Sequence, residues 1–240
     1  LGIEGLVESA ADAGIITLEP TQGCTEHPEM SLDAAGNVEP KTYEDGSLFG
    51  YVDTHSHILA NFGFGGGGIF HGAPFHRLGV SVAMGSCEPF HAEEGRADLL
   101  GSGFGGAGES LDEAELIGLL GNGRLPNPAH ATDGWPTYSD WPSERSATHQ
   151  TQYYKWLERA WMSGLRLMVQ HAVTNEVFCE LMGNPGFQPT RYSCKDMFNV
   201  DRQLVEVHNM ERYIDAQSGG PGEGWFRIVG TPAQARQVIA

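Results

Sequence analysis

The chain has 240 residues, 40% of them hydrophobic and 19% charged, enough apolar material for one large packed domain or two small ones. Its formal net charge is −17, and its lysines are Lys41, Lys155 and Lys195. That balance disfavours nucleic acid and anionic membranes and fits a small-molecule or peptide substrate; no apolar run reaches the roughly 18–20 residues of a membrane span.

Leu6, Val7, Ala10 and Ala11 give residues 2–12 the period of a short helix stopped at Gly14. Residues 20–50, rich in Pro, Gly, Asp and Glu, read as irregular, so 1–49 is expected to be a leader with one helix. No initiator methionine or signal peptide opens the chain, and Ala240 closes a helical stretch, the style of a processed or truncated product.

Residues 50–54 predict a strand that delivers His55-Ser56-His57. Side chains at i and i+2 share a strand face, so both imidazoles can reach one metal ion without distorting the backbone. Asp53 keeps the same spacing and is placed to accept an imidazole N–H. Imidazole and carboxylate ligands suit zinc, as one ion or two. A chance histidine pair is the competing reading. The apolar strand before the pair and the glycine-rich loop after it favour the metal.

From Asn61 to Trp141 the composition changes: glycines cluster at 63–68 and 101–108, and prolines follow. A capping box, Ser110 to Glu113, opens one helix striped by Ala114, Ile117 and Leu120. A connection as long as 58–148 suggests a cover over a site. Gly63 to Gly68 fits G-x-G-x-x-G, but the strand ends too early and no helix opens from it, so dinucleotide binding is set aside. No G-K-[ST] and no G-x-S-x-G occurs. His71, His76, His91 and His130 are individually expected to be solvated, and His149, at the start of a helix, to make a local hydrogen bond, although together the five are numerous enough for one to line a pocket.

After Thr148 the pattern is regular. Residues 149–162 predict an amphipathic helix on Tyr153, Trp156, Leu157, Ala160 and Trp161, stopped by Gly164. Residues 165–173 predict a strand. His171, near its end, shares the side of His55 and His57 in a parallel sheet; it is a ligand or proton-transfer group, or else a core histidine bound to a backbone carbonyl. Glu176 and Glu180 face a cleft or solvent, and Trp135, Trp141, Trp156 and Trp161 are packing residues. Ser193-x-x-Asp196 caps a second helix with Met197, Val200, Leu204, Val207 and Ile214 inward, broken at Gly219-Gly220-Pro221. Residues 225–229 predict a third strand, and Thr231 caps a last helix with Pro232 at its first position.

The four cysteines (Cys24, Cys87, Cys179, Cys194) form no C-x-x-C pair, which argues against a zinc ribbon. They make two disulfides or remain buried thiols. Cys179 and Cys194 flank a Gly/Pro loop and are natural partners. A disulfide would imply an oxidising compartment, secreted or periplasmic. The alternation β-loop-α-β-α-β-α predicts an α/β fold with a parallel sheet and helices outside it, about three βα units where a closed barrel needs eight.

V-D-T-H-S-H-I at 52–58, followed by Leu59 to Gly65, resembles the amidohydrolase superfamily, and within it the membrane dipeptidase (renal dipeptidase-like) group. Tyr154 to Trp161, Leu165 to Val169 and Gly224 to Val229 add to the likeness. The resemblance implies a (β/α)8 TIM barrel with a zinc centre at its C-terminal strand ends. Residues 50–240 would be its N-terminal portion, carrying 58–148 as a long glycine-rich insertion. His55 and His57 match the metal pair of the first strand, where the dipeptidases proper carry His-x-Asp. The family's bridging carboxylate and later histidines fall beyond the third strand, so no catalytic residue is assigned, and Glu4 is not taken for that carboxylate. The implied activity is zinc-dependent hydrolysis of amide or peptide-like bonds by a fragment with an incomplete site. The alternative is a non-catalytic carbohydrate- or protein-binding segment on a barrel-like scaffold.

Overall fold

A computed structural model describes residues 22–23, 25–66, 68–103, 113, 117, 121, 123–125, 127–141, 147–183 and 190–240. The helices expected at 2–12 and 110–120, Glu4 and Cys24 lie outside those residues or nearly so. Among the described residues, two strands run parallel: β1 (Tyr51–Ser56) and β2 (Leu165–Gln170). The ladder pairs Tyr51 with Leu165, Asp53 with Met168 and Ser56 with Gln170, with two irregularities along it. Tyr51, Val52 and Thr54 in one strand and Leu167 and Val169 in the other suit the pleated backbone. A parallel pair needs a long crossover, and residues 57–164 supply it. Among the described residues that crossover carries the short helices α1 (Val80–Ala83), α2 (Glu88–His91) and α3 (Leu99–Gly103), and α4 (Tyr154–Met162) completes it. After β2 come α5 (Glu176–Gly183), α6 (Asp196–Gln217) and α7 (Pro232–Ile239). Among the described residues the architecture is mixed α/β with an open two-stranded parallel sheet and no closed barrel.

The main core gathers Ile58, Leu59, Val80, Ala83, Met84, Trp141, Tyr153, Tyr154, Leu157, Met210 and Ile214. It joins the end of β1 to α1, α4 and α6. The irregular segment near residue 29 belongs to it as well. Tyr153 Oη donates to Glu29 at 2.8 and 2.9 Å, Tyr154 Oη donates to it at 2.9 Å, and Met30 packs on the cluster. Burial and the Glu29 carboxylate push both phenols above their ordinary pKa. A second cluster, Phe64, Ile69, Cys179 and Met182, is fastened by a Cys179–Cys194 disulfide with Cα atoms 5.5 Å apart.

Four expectations are corrected. Residues 225–229 form no strand. Their polar groups bond to α6 instead: Ile228 N–H donates to Glu211 at 2.9 Å, and Arg227 Nη1 donates to Asp215 at 2.7 Å. Trp225 stacks on Trp161 with centroids 5.8 Å apart. That segment and β2 both line an apolar cleft of about 800 Å³. The helix expected from 149 starts at Tyr154, because 148–150 bonds to residue 71: His71 N–H donates to Thr148 O and Gln150 N–H to His71 O, each at 2.8 Å. The strand expected to reach 173 ends at Gln170.

The inward face of α6 is the fourth, and only in part: Ile214 is in the core and Val207 packs against it as expected. Met197 is 66% exposed and Leu204 53%, while Asn199 and Gln203 are buried. Ser193 accepts from Lys195 N–H at 3.2 Å and is not the helix cap. The polar residues are inside because loops need their amides. Gln203 accepts from Val173 N–H and donates to Val173 O, both at 3.0 Å, and Asn199 Oδ1 accepts from Gly65 N–H at 3.0 Å. A buried backbone group without a partner costs about as much as a lost hydrogen bond, so these side chains outrank aliphatic ones there. The last helix keeps its expected start: Thr231 Oγ1 accepts from Gln234 N–H at 3.2 Å, with Pro232 in the first turn.

Candidate metal sites

At the C-terminal end of β1, His55 Nε2 and His57 Nε2 are 2.8 Å apart. Around an ion with Zn–N bonds of about 2.0–2.1 Å in tetrahedral geometry, that separation would be about 3.3 Å. The rings need open only by roughly half an ångström. His57 Nδ1 donates to the carbonyl of His171 at 3.0 Å. A carbonyl can only accept, so this bond places the proton on Nδ1 and leaves the lone pair on Nε2, where it accepts from His55 Nε2–H. The His171 ring stacks on His55 with centroids 4.5 Å apart, and its backbone N–H extends the sheet ladder to Ser56 O at 2.8 Å. The fold thus brings His55, His57 and His171 together at the same end of the paired strands, accessible to solvent. Asp53 Oδ1 accepts from the backbone N–H of His55 at 3.0 Å, rather than from an imidazole, and so fixes the local turn of the strand.

A second group lies within the long connection. Ligand atoms of Cys87, His91, His130 and His149 all fall within 4.8 Å of one another, and the group can hold a metal ion. Each is positioned by backbone bonds. Cys87 is the N-cap of α2 and His91 its last residue, one helical turn on, so thiol and ring share a face. Cys87 N–H is held by Thr132 O at 3.0 Å, and His130 N–H by Glu94 O at 3.2 Å. His149 sits between the two bonds that join 148 and 150 to His71. Asp98 starts α3 in capping fashion, Oδ1 accepting from Gly101 N–H at 2.9 Å. Its Oδ2 accepts from Thr148 Oγ1 at 2.5 Å and lies 3.2 Å from His130 Nε2 and 3.6 Å from His91 Nδ1.

In the three imidazoles one nitrogen is held by a hydrogen bond to oxygen. His91 Nε2 donates to Ile69 O at 3.2 Å and His130 Nδ1 to Ala131 O at 2.9 Å. The Thr148 hydroxyl spends its proton on Asp98, so it accepts from His149 Nδ1 at 3.3 Å. Of the opposite nitrogens, His130 Nε2 and His91 Nδ1 lie beside Asp98 Oδ2 as ion pairs, while His149 Nε2 is buried without a partner. A buried polar group left in that state costs about 1–3 kcal/mol. Burial drives the His91 imidazole below its ordinary pKa and, with the neighbouring His91 and His130 charges, His149 down to about 2. Burial also depresses His130, but Asp98 and Cys87 beside it raise it to about 10. Burial would raise Asp98; His130, His91, Thr148 and Gly101 instead bring it to about 2.

No family model, curated protein or solved structure matches the chain.

The geometry corrects the expectation of solvated loop histidines. His71 and His91 are buried, and His130 is largely so; His149 is buried with a local hydrogen bond to Thr148. His71 donates from Nε2 to Gly85 O at 2.8 Å, and burial lowers its pKa to about 4. His76 is the solvent-facing one of the set, its Nδ1 accepting from Leu78 N–H at 3.1 Å. Spacing carried one usable signal that went unread: Cys87-x-x-x-His91 puts two soft ligands on one helical turn. Nothing in the spacing of His130 and His149 links them to that turn. Glu176 and Glu180 lie on α5, Glu180 exposed. Among the described residues no helix is long and apolar enough to cross a membrane.

Proposed function

We propose that this chain is part of a zinc-dependent hydrolase of amide or peptide-like bonds, with the ion held by His55 and His57. The observation that supports it is the approach of the two Nε2 atoms to 2.8 Å, with His57 held in a ligating tautomer by the His171 carbonyl. Bound zinc lowers the pKa of its water from about 15.7 towards about 7 and polarises a carbonyl. His55 must turn its ring proton to Nδ1 to join His57 as a ligand. His171, stacked beside it, screens one side of the pair and orients His57. The exposed position leaves room for a substrate of small-molecule or peptide size. On this reading β1 and β2 are the first strands of a TIM-barrel-like sheet, and Asp53 sets the backbone that presents the pair. The Cys179–Cys194 disulfide fits a secreted or periplasmic setting.

The test measures zinc uptake and hydrolysis of a dipeptide panel by the metal-stripped chain, with and without added zinc, for the native protein and His55→Ala. The reading expects zinc-dependent hydrolysis that falls to the zinc-free level in the variant. Uptake that depends on His55 without hydrolysis of any dipeptide favours the binding-segment alternative. A folded native chain whose zinc uptake is unchanged by His55→Ala contradicts the reading.

A further inference from the structure

We propose that Cys87, His91, His130 and His149 form a second, closed zinc site that is structural rather than catalytic, with Asp98 beside it orienting His149 through the Thr148 hydroxyl. It stands apart from the strand-end reading and does not need it. Three imidazoles and one thiol make a complete tetrahedral set of the nitrogen and sulfur donors that zinc prefers, and the lack of an oxygen-rich shell disfavours calcium and magnesium. A catalytic ion keeps an open position; four protein ligands in a buried setting leave none. The widest separation, 4.8 Å, would contract by roughly 1–1.5 Å on binding.

Three independent features point the same way. His149 Nε2 is buried without a partner, His91 Nδ1 and His130 Nε2 meet only the Asp98 carboxylate, at 3.6 and 3.2 Å, and His91 is fully buried. The opposite nitrogen of His91 and of His130 is anchored on a carbonyl, and that of His149 on the Thr148 hydroxyl, which is itself held by Asp98. This is the outer-shell pattern of metal-bound histidine, which fixes tautomer and ring angle before the ion arrives. Charge also closes: a divalent ion, the Cys87 thiolate and the Asp98 carboxylate sum to zero in a site that is largely shut from water. An Asp98–His130 ion pair alone leaves His149 Nε2 without a partner and His91 Nδ1 3.6 Å from the same carboxylate oxygen. Binding zinc would tie α2 to the segments at 130 and 149, fastening the long connection to itself. A ligating thiol and imidazole must be deprotonated, so any proton they carry passes to solvent on binding.

The experiment takes the His55→Ala/His57→Ala double variant, so that strand-end zinc does not contribute, and records metal content and the zinc X-ray absorption spectrum. The proposal expects about one zinc per chain, with one sulfur near 2.3 Å and nitrogens near 2.0–2.1 Å. Cobalt substituted into the same protein should show thiolate-to-metal charge transfer that Cys87→Ser removes. Asp98→Asn should weaken zinc binding about 10–100-fold in chelator competition while the sulfur signal persists, as a positioning role requires. A folded double variant that takes up no zinc overturns the proposal. Zinc with no sulfur neighbour, or cobalt spectra unchanged by Cys87→Ser, does the same. Because the decisive spectra are read on protein with the tetrad intact, misfolding of Cys87→Ser alone cannot decide the matter.

Discussion

The two histidine groups differ in almost every physical respect. His55 and His57 stand two residues apart on one strand, face solvent and depend on a single backbone carbonyl for orientation. Cys87, His91, His130 and His149 come from three stretches of a long irregular connection, are mostly buried and are held by a network through Asp98 and Thr148. The first arrangement suits a site that must admit water and substrate. The second suits one that must exclude them. Altering the buried group should therefore be felt in stability, and altering the exposed pair should be felt in metal uptake and activity with little change in folding.

The largest effect is expected at Asp98. Asp98→Ala removes a buried carboxylate that serves His130, Thr148 and Gly101, and breaking such a network from one side costs on the order of 3–5 kcal/mol. Urea unfolding checks this; a loss below 1 kcal/mol would show that the carboxylate is not integral to the cluster. Next comes the disulfide. The Cys179→Ser/Cys194→Ser pair opens a loop with a sequence separation of 15, worth about 3 kcal/mol by chain entropy, and should lower the unfolding midpoint accordingly.

Gly101→Ala sharpens the comparison without deleting a ligand. A Cβ there would strike Asp98 Oδ2 and Thr148 Oγ1, so overpacking of roughly 1–3 kcal/mol is expected, accompanied by weaker metal binding at the buried group alone. Unchanged affinity with reduced stability would separate Asp98 from the metal site. His57→Ala is the smallest case: as a half-buried residue just past β1 that loses one hydrogen bond to the His171 carbonyl, it should shift stability by about 1 kcal/mol while abolishing metal uptake at β1.

A pH effect separates both groups from the rest of the scaffold. Asp215 accepts from Gly222 N–H, Gly224 N–H and Arg227, which hold its carboxyl below the ordinary value. A depressed folded pKa contributes stability that is present above about pH 4 and lost as pH falls through the folded value. Asp215→Asn should flatten the acid limb of a stability-versus-pH curve; an unchanged limb would remove the Asp215 knot from the account.

Local patterns that need only neighbours in sequence were legible. The i,i+2 spacing put His55 and His57 on one strand end, Thr231-Pro232 marked the start of α7, and the Gly/Pro loop between Cys179 and Cys194 marked a bridge. Trp225 to Val229 has a strand's composition, but hydrogen-bonding partners decide a strand, and Glu211 and Asp215 took its polar groups. The inward face of α6 was read correctly at Val207 and Ile214 but not at Met197 and Leu204, because an apolar stripe says nothing about loops that need amide partners, which Asn199 and Gln203 supply. The buried tetrad was illegible except for Cys87 and His91, since its assembly depends on backbone bonds between residues far apart in sequence.

Anomalous diffraction at the zinc edge, from crystals of the native chain grown with zinc, tests the account most directly. It predicts a peak between His55 Nε2 and His57 Nε2, open to solvent, and a second peak enclosed by Cys87, His91, His130 and His149. A map with no density between the two strand-end rings would contradict the hydrolase reading at its root.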